Sequence, residues 1–237
     1  MAGEKDRYVQ LTVQDGTTMA AYVARPSATG GRPGIMVFQE AFGVNAHIRD
    51  VTDRFASTGY VAIAPELYHR TGPGFEGSYT NFEANRPHFS AITGDNLEKD
   101  IRATFEFLRG DSGTDPNRIV SVGFCMGGRV SFIANSIVPV RAAATFYGGG
   151  IAPANLGRVP NLHGPMLFCW GGLDKHIGPD QIGAIIGAMK QAGKQYINVE
   201  FSNADHGFFC DARASFNKNA AREAWSLLQV FLAENLQ

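Results

Sequence analysis

Three side chains that together could carry out nucleophilic catalysis follow one another along the chain: Cys125, Asp174 and His206. A thiol is mostly protonated at neutral pH, and its thiolate is the reactive form. A neighbouring imidazole can accept the thiol proton, and an aspartate can hold that imidazole in one tautomer and stabilise its cation. The types and the order of these residues therefore predict acyl transfer through a cysteine nucleophile.

The cysteine lies in a segment that is typical of an exposed nucleophile. Residues Ser121–Gly128 read Ser-Val-Gly-Phe-Cys-Met-Gly-Gly, and an apolar run leads into them. The pattern is the G-x-S-x-G turn between a strand and a helix, with cysteine in the serine position. Glycines around the nucleophile let the strand and the helix approach closely. Because so short a motif also occurs by chance, the remaining elements must support it.

Apolar runs and amphipathic stretches alternate along the rest of the chain, as expected when helices cover a mostly parallel sheet. Residues 8–25 are predicted to form a hairpin, because Asp15–Gly16 supplies a tight turn between two alternating runs. Further strands are predicted at residues 34–38, 60–64, 118–122, 142–147, 165–170 and 196–201. Helices are predicted from Asn45 to Gly59, from about Asn96, from Gly128, from Pro179 to Gly193 and from about Asn217 to Leu232. We therefore predict an α/β fold, with helices on both faces of the sheet and one domain over residues 1–237.

Residues 69–94 interrupt this alternation, since a glycine-rich stretch is followed by aromatics, prolines and histidines. A loop of this length in a compact domain is usually a lid, a binding loop or disordered. We predict an irregular, lid-like segment here. Asp115–Asn117 is predicted to be a turn before the strand that leads to Cys125.

The candidate site residues share a position relative to the predicted strands. Cys125, Asp174, His206 and Glu40 each follow the end of a strand, and active sites of open parallel sheets lie at the carboxyl ends of the strands. We therefore expect these four side chains to emerge along one edge. The backbone N–H groups of Met126 and Ala41 are the expected donors to the oxyanion of a tetrahedral intermediate.

Five stretches resemble the dienelactone hydrolase (carboxymethylenebutenolidase) family of the α/β-hydrolase superfamily. They are Gln39–Asn45, Ala64–Tyr68, Gly123–Gly128, Gly171–Asp174 and Ala204–Phe208. The resemblance implies an α/β-hydrolase fold with Cys125, Asp174 and His206 as a catalytic triad. It also implies that Glu40 pairs with the resting thiol and is displaced when substrate binds. The expected substrate is a lactone or small ester, and neither a metal nor an organic cofactor is implied.

The chain departs from the family at the arginines that hold a substrate carboxylate. One family arginine is expected four positions after His206, where this chain has Cys210, and Arg213 is a candidate replacement. Arg70 and Arg86 are candidates for the second arginine, although neither has a tyrosine at the family's spacing. The resemblance therefore supports the hydrolase chemistry better than dienelactone as the substrate.

Other polar and aromatic residues receive more ordinary predictions. Phe42 and Tyr147 are expected to border the pocket. Cys169, inside an apolar strand, is expected in the core, while Cys210 is expected to pack or to line the pocket. We also consider the hypothesis that oxidation links Cys210 to Cys125.

The histidines other than His206 are expected to cap, to hydrogen-bond or to face solvent; they are His47, His69, His88, His163 and His176. His69 and His88 are also candidates for the lid. His176 is close to Asp174 in sequence, but a base there would lie on the wrong loop. Asp205 is an alternative to Asp174 as the triad acid, although a carboxylate adjacent to His206 usually points elsewhere.

Composition narrows the class of protein and of partner. The chain has 237 residues, of which 44% are hydrophobic and 18% charged, with a net charge of -1. We therefore expect a small-molecule substrate rather than nucleic acid or a membrane. The charged stretch Met1–Arg7 does not resemble a signal peptide, and the odd number of cysteines argues against a disulfide framework. These features predict a cytoplasmic protein, as a monomer or simple homodimer.

Three alternatives stay open at this stage. The same fold could act on an ordinary ester, thioester or activated amide that carries no carboxylate. Cys125 could instead be a peroxide-reactive thiol in a redox protein. The fold could also bind a ligand without turning it over.

Overall fold

The computed structural model describes residues 7–237, and its internal contacts divide the chain into two compact units, Met1–Val120 and Ser121–Gln237. The charged stretch Met1–Arg7 therefore lies, apart from Arg7, outside the described residues. The expectation of a single domain stays a prediction, and each unit is described by itself. Among the described residues, no helix is both long and apolar enough to cross a membrane.

The first unit contains a four-stranded sheet with the order β1-β2-β4-β3. Its strands are β1 Tyr8–Thr12, β2 Thr18–Ala24, β3 Arg32–Phe38 and β4 Val61–Pro65. β1 and β2 form an antiparallel hairpin, as predicted, and Gly16 takes a φ of +84° in its turn. β2 pairs with β4 in antiparallel and β3 with β4 in parallel orientation.

The helices of this unit are α1 Ala46–Ser57, α2 Arg86–Ala91 and α3 Gly94–Gly110. Side chains cap the first turns of two of them, α1 and α3. The Asn45 side chain accepts a hydrogen bond from the Ile48 N–H and caps α1, as predicted. Thr93 does the same for α3, so this helix begins two residues before the predicted start at Asn96.

The 69–94 segment is more ordered than the sequence indicates, because it contains α2 and the short 3-10 helix Phe82–Ala84. It is also attached to the loop after β3. The Gly77 N–H donates to the Phe42 carbonyl (3.0 Å), and the Asn45 amide donates to the Tyr79 hydroxyl (2.8 Å). The Phe42 ring packs edge to face against Tyr79, with 4.6 Å between centroids. The segment is therefore fastened to the loop that follows β3.

The second unit contains a parallel sheet with the order β5-β6-β7-β8. Its strands are β5 Thr114–Phe124, whose first residues belong to the first unit, β6 Ala143–Phe146, β7 Met166–Gly171 and β8 Tyr196–Phe201. Its helices are α4 Met126–Ile137, α5 Pro179–Gln191 and α6 Lys218–Asn235, with a 3-10 helix at Leu156–Asn161. Cys169 is fully buried in β7, so its assignment to the core is confirmed.

Two local predictions are wrong. Asp115–Asn117 is not a turn, because β5 already begins at Thr114. The Asp115 side chain does accept from the Asn117 N–H (3.0 Å), which is the turn signal in the sequence, yet the backbone stays extended. Pro116 is exposed there, and a proline is tolerated where a strand faces solvent. The helix after the cysteine begins at Met126 rather than at Gly128.

Candidate active site

Cys125 occupies a sharp turn between β5 and α4. Its φ of +56° and ψ of -120° lie in a region that non-glycine residues rarely adopt, and such strain concentrates at functional sites. A Cβ atom on Gly123 would collide with the backbone of Gly127, and one on Gly128 would lie 2.7 Å from the Gly148 Cα atom. The glycines are therefore required for the close approach that this turn needs.

The structure brings Cys125, Asp174 and His206 into one hydrogen-bonded row within the second unit. His206 Nδ1 lies 2.7 Å from Asp174 Oδ2, and His206 Nε2 lies 3.2 Å from Cys125 Sγ. The other oxygen of Asp174 accepts from the backbone N–H groups of His176 (2.7 Å) and Ile177 (3.3 Å). The imidazole thus bridges a fixed carboxylate and the sulfur.

The electrostatics of this row favour a protonated imidazole. Burial by itself opposes a charge on His206, but the hydrogen bonds and charges of Asp174 and Cys125 outweigh it and raise the His206 pKa to about 10. Burial likewise opposes the charge on Asp174, yet the hydrogen bond with His206 lowers the pKa of that carboxyl below its ordinary value. Both side chains therefore carry their charges at neutral pH.

The turn around the cysteine is tied together by a buried hydrogen bond and favours an anion. Met126 is the first residue of α4, so Cys125 lies at the positive end of the helix dipole. The hydroxyls of Ser121 in β5 and Ser131 in α4 form a buried hydrogen bond of 2.9 Å, which ties the strand to the helix. A negative charge on the sulfur or on a bound oxyanion would be stabilised here.

Two further rings contact the imidazole of His206. Tyr147 is fully buried, has a φ of +40° and lies with its ring centroid 5.1 Å from that of His206. The exposed ring of His176 lies at 5.2 Å. Tyr147 was expected to border the pocket, whereas the contact between the rings of His176 and His206 was not predicted. The sequence did contain a signal for the position of His176. An aspartate side chain commonly accepts a hydrogen bond from the backbone N–H two residues later, and this holds that residue near the aspartate.

Other candidates in the second unit take backbone or packing positions. The Asp205 carboxylate accepts from the backbone N–H of His206 (2.6 Å), so it is Asp174 that meets the imidazole ring. Cys210 is fully buried. The guanidinium of Arg213 covers Gly207, whose φ of +81° and lack of a Cβ make room for it.

In the first unit, Glu40, Ala41 and Phe42 follow β3 and are all buried. Gln39 holds this loop, because its side chain accepts from the Leu67 N–H (3.1 Å) and donates to the Glu40 carbonyl (3.3 Å). The Tyr68 hydroxyl donates to the Ala41 carbonyl (3.1 Å). The roles of Glu40, Ala41 and Phe42 in the site stay predictions.

The two candidate arginines of the 69–94 segment have protein partners. Arg70 forms two hydrogen bonds of 2.8 Å with Asp100, to which His69 also bonds, and two more with Asp15. Arg86 is exposed and pairs with Glu83 (2.7 Å). The network around Arg70 ties the segment to α3 and to the hairpin turn, and this accounts for the arginine without a substrate. Of the lid histidines, His69 is buried in this network, and His88 bonds the Thr71 hydroxyl (2.9 Å).

A cysteine on a strand-to-helix turn, followed along the chain by an aspartate and a histidine that hydrogen-bond in sequence, defines the α/β-hydrolase class. The sequence model of the Dienelactone hydrolase family matches residues 19–236. The chain therefore belongs to the dienelactone hydrolase family.

Relatives and solved structures agree with this membership. A Synechocystis protein provisionally named a carboxymethylenebutenolidase is 38% identical over 226 residues, which cover 91% of this chain and 92% of the relative. A Methylorubrum extorquens protein of the same provisional name is 34% identical, over 97% of this chain and 79% of its own. A crystal structure from Klebsiella pneumoniae, provisionally named a dienelactone hydrolase, has a TM-score of 0.85 at 32% identity and covers 95% of this chain and 97% of that one.

A thermophilic esterase from Thermogutta terrifontis shares the fold, with a TM-score of 0.69 at 22% identity over 98% of this chain and 96% of the esterase. The predicted fold class, a mostly parallel α/β-hydrolase sheet with helices on both faces, is confirmed. The protein is a dienelactone hydrolase-like hydrolase of carboxylic esters.

Proposed function

We propose that the protein hydrolyses a lactone or a small carboxylic ester through an acyl-enzyme on Cys125. The observation that supports this most directly is the position of the His206 imidazole, 2.7 Å from Asp174 and 3.2 Å from the Cys125 sulfur. This arrangement pairs a cationic imidazole with a carboxylate on one side and a nascent thiolate on the other. The substrate is a small molecule, and a cytoplasmic location and a monomeric or simple dimeric state stay predictions.

The first half of the reaction forms a thioester. The Cys125 thiolate attacks the ester carbonyl carbon, and the carbonyl oxygen becomes an oxyanion. The backbone N–H groups of Met126 and Ala41 are the proposed donors to that oxyanion, and one such donor is worth about 3 kcal/mol of barrier. His206 then gives its Nε2 proton to the leaving alcohol oxygen as the carbon–oxygen bond breaks.

The second half releases the acid. With the sulfur acylated, His206 is neutral and takes a proton from water, whose oxygen attacks the thioester carbonyl. The carbon–sulfur bond breaks, the thiolate returns beside the imidazolium, and the carboxylic acid leaves. Asp174 keeps Nδ1 as the proton donor throughout, so Nε2 always faces the reacting atoms.

The proposed switch role of Glu40 rests on the family resemblance of the stretch around it. In this scheme the Glu40 carboxylate keeps the resting thiol protonated, and substrate displaces it. As it is displaced, Glu40 takes the thiol proton, and His206 keeps its own proton for the leaving alcohol. The thiolate then forms only when there is an ester to attack. This would protect the cysteine from oxidation and alkylation between turnovers.

A second candidate is a general esterase or thioesterase of the same fold. The observation that favours it concerns two positions at which the family resemblance leads us to look for an arginine that holds a substrate carboxylate. Cys210 stands fully buried where an arginine is expected, and Arg70 is hydrogen-bonded to Asp15 and Asp100. A substrate without a carboxylate requires neither residue.

A panel of lactones, aryl esters and thioesters, with mass spectrometry of the quenched enzyme, tests both candidates. We expect an acyl adduct on Cys125 and loss of turnover in Cys125→Ser, with Cys169→Ala as the matched control that keeps both. Turnover confined to lactones that carry a carboxylate would favour the first candidate, and turnover of neutral esters the second. A peroxide response of Cys125 without hydrolysis of any substrate would contradict both.

A further inference from the structure

The contacts around His206 change during the proposed reaction. In the resting enzyme, hydrogen bonds at both ring nitrogens hold the imidazole between Asp174 and Cys125. Once the sulfur carries an acyl group it no longer offers the same partner, and Asp174 alone holds the ring through a hydrogen bond. One hydrogen bond leaves the ring free to rock about it. The groups that pack against the ring then decide whether Nε2 still faces the attacking water.

Tyr147 is one of these groups, and its own contacts hold it in place. Its backbone N–H donates to the Cys169 carbonyl (2.8 Å), and its ring packs against Phe208 with 5.3 Å between centroids. The ring meets His206 at an interplanar angle of 61°. Its positive φ places a buried aromatic ring at the carboxyl end of β6, where an ordinary strand residue would continue the pleat.

His176 is the second group, and the triad carboxylate itself places it. Asp174 Oδ1 accepts from the His176 N–H, while Asp174 Oδ2 meets His206. The Gln181 amide also donates to the His176 carbonyl (3.4 Å). The exposed His176 ring could turn to solvent, yet it lies edge to face against the catalytic imidazole, at an interplanar angle of 76° and a centroid distance of 5.2 Å.

From these contacts we propose that His176 is a positioning residue, which together with Tyr147 holds the His206 imidazole in its reactive orientation during deacylation. This inference rests on the proposed function. It gives the loop after Asp174 a second role, in addition to the hydrogen bonds that its backbone donates to the Asp174 carboxylate.

Three variants test this role. For an activated aryl ester, His176→Ala is expected to lower kcat about tenfold while kcat/KM stays within twofold of the wild type, because kcat/KM reports the steps up to acylation. His176→Phe keeps a ring without a charge, and we expect kcat within twofold of the wild type at pH 8. Lys175→Ala removes the neighbouring exposed charge and is the matched control, with unchanged kcat. Circular dichroism checks that all three are folded.

A measurement independent of turnover is NMR of the His206 ring protons in the Cys125→Ala background, where the sulfur no longer holds Nε2. We expect one narrow set of ring resonances in that protein and when His176→Phe is added, and broadened or doubled resonances when His176→Ala is added. The inference is overturned if His176→Ala leaves kcat unchanged, if His176→Phe loses as much activity as His176→Ala, or if the His206 ring resonances are the same with His176→Ala and with His176→Phe. Retention of full turnover by His206→Ala would instead contradict the proposed function.

Discussion

His206 Nε2 lies 3.2 Å from Cys125 Sγ, and the cysteine presents this sulfur from a backbone with a positive φ. The two residues are 81 positions apart in the chain, so neither places the other locally. The turn holds the sulfur above the positive end of α4, and Asp174 holds the imidazole. The turn and the Asp174 carboxylate thus bring the pair together before any substrate binds.

Replacing the imidazole is expected to abolish most of the activity. His206→Ala removes both the acid for the leaving alcohol and the base for water, and such groups contribute about 10²–10⁴-fold. We expect kcat/KM for a p-nitrophenyl ester to fall by about 10³-fold. His163→Ala is the matched histidine control and should keep its activity within twofold. Equal activities in the two variants would contradict the triad.

The stability of the protein should depend on pH through His206. Its pKa is raised from about 6.5 in the unfolded chain to about 10 in the folded protein, so the folded state binds the proton more tightly. The contribution of His206 to the free energy of unfolding is therefore fully present below pH 6.5 and is lost as the pH rises through about 10. Urea unfolding of the wild type and of His206→Gln at several pH values measures this. The wild type should lose more stability than the variant between pH 7 and pH 10, and parallel curves would contradict the raised pKa.

The glycines of the turn should tolerate no side chain. Gly128→Ala places a Cβ atom 2.7 Å from the Gly148 Cα atom, so the backbones must separate, and we expect a loss of about 1–3 kcal/mol in the free energy of unfolding. Gly187→Ala is the control, since that exposed position in α5 has no atom within 4 Å of the added Cβ. Alanine there should stabilise the helix by up to about 1 kcal/mol. Chemical denaturation of both variants measures the free energy of unfolding. Equal losses of stability would show that the close approach of Gly128 to Gly148 does not cause the effect.

The proposed thiol switch has a direct chemical readout. Glu40→Ala should raise the rate at which iodoacetamide alkylates Cys125 at neutral pH, because the carboxylate no longer keeps the thiol protonated. Glu83→Ala removes an exposed carboxylate that pairs with Arg86 and serves as the control. Mass spectrometry of the Cys125 peptide gives the rate. An unchanged rate in Glu40→Ala would rule out the switch.

Elements with local signals could be predicted well from the sequence. The turn at Asp15–Gly16, the cap at Asn45 and the start of α5 at Pro179 all depend on residues within one or two turns of chain. The error at Asp115–Asn117 has the opposite cause. A local turn signal is present there, but the chain is already extended, and the Arg32 N–H at the start of β3 bonds to the Gly113 carbonyl just before β5 (2.9 Å). Long-range pairing therefore outweighs a short-range preference.

The 69–94 segment also shows that local sequence patterns do not reveal long-range contacts. Its composition indicates a long loop, and the glycines and prolines do break it. Its attachment depends on the Phe42–Tyr79 ring contact and on the bonds from Arg70 to Asp15 and Asp100, which join residues far apart in the sequence. Composition carries no information about such partners.

The sequence by itself determined which residues could do the chemistry and in what order, because the glycine-flanked Cys125 and the strand ends before Asp174 and His206 are local patterns. Only the tertiary structure decided that Asp174, and not the adjacent Asp205, meets the imidazole, and that the rings of Tyr147 and His176 pack against it. Which side chains reach His206 depends on the backbone conformation of all the residues that connect them, over tens of positions in the chain. An error of a few ångströms there changes which carboxylate is within hydrogen-bonding distance.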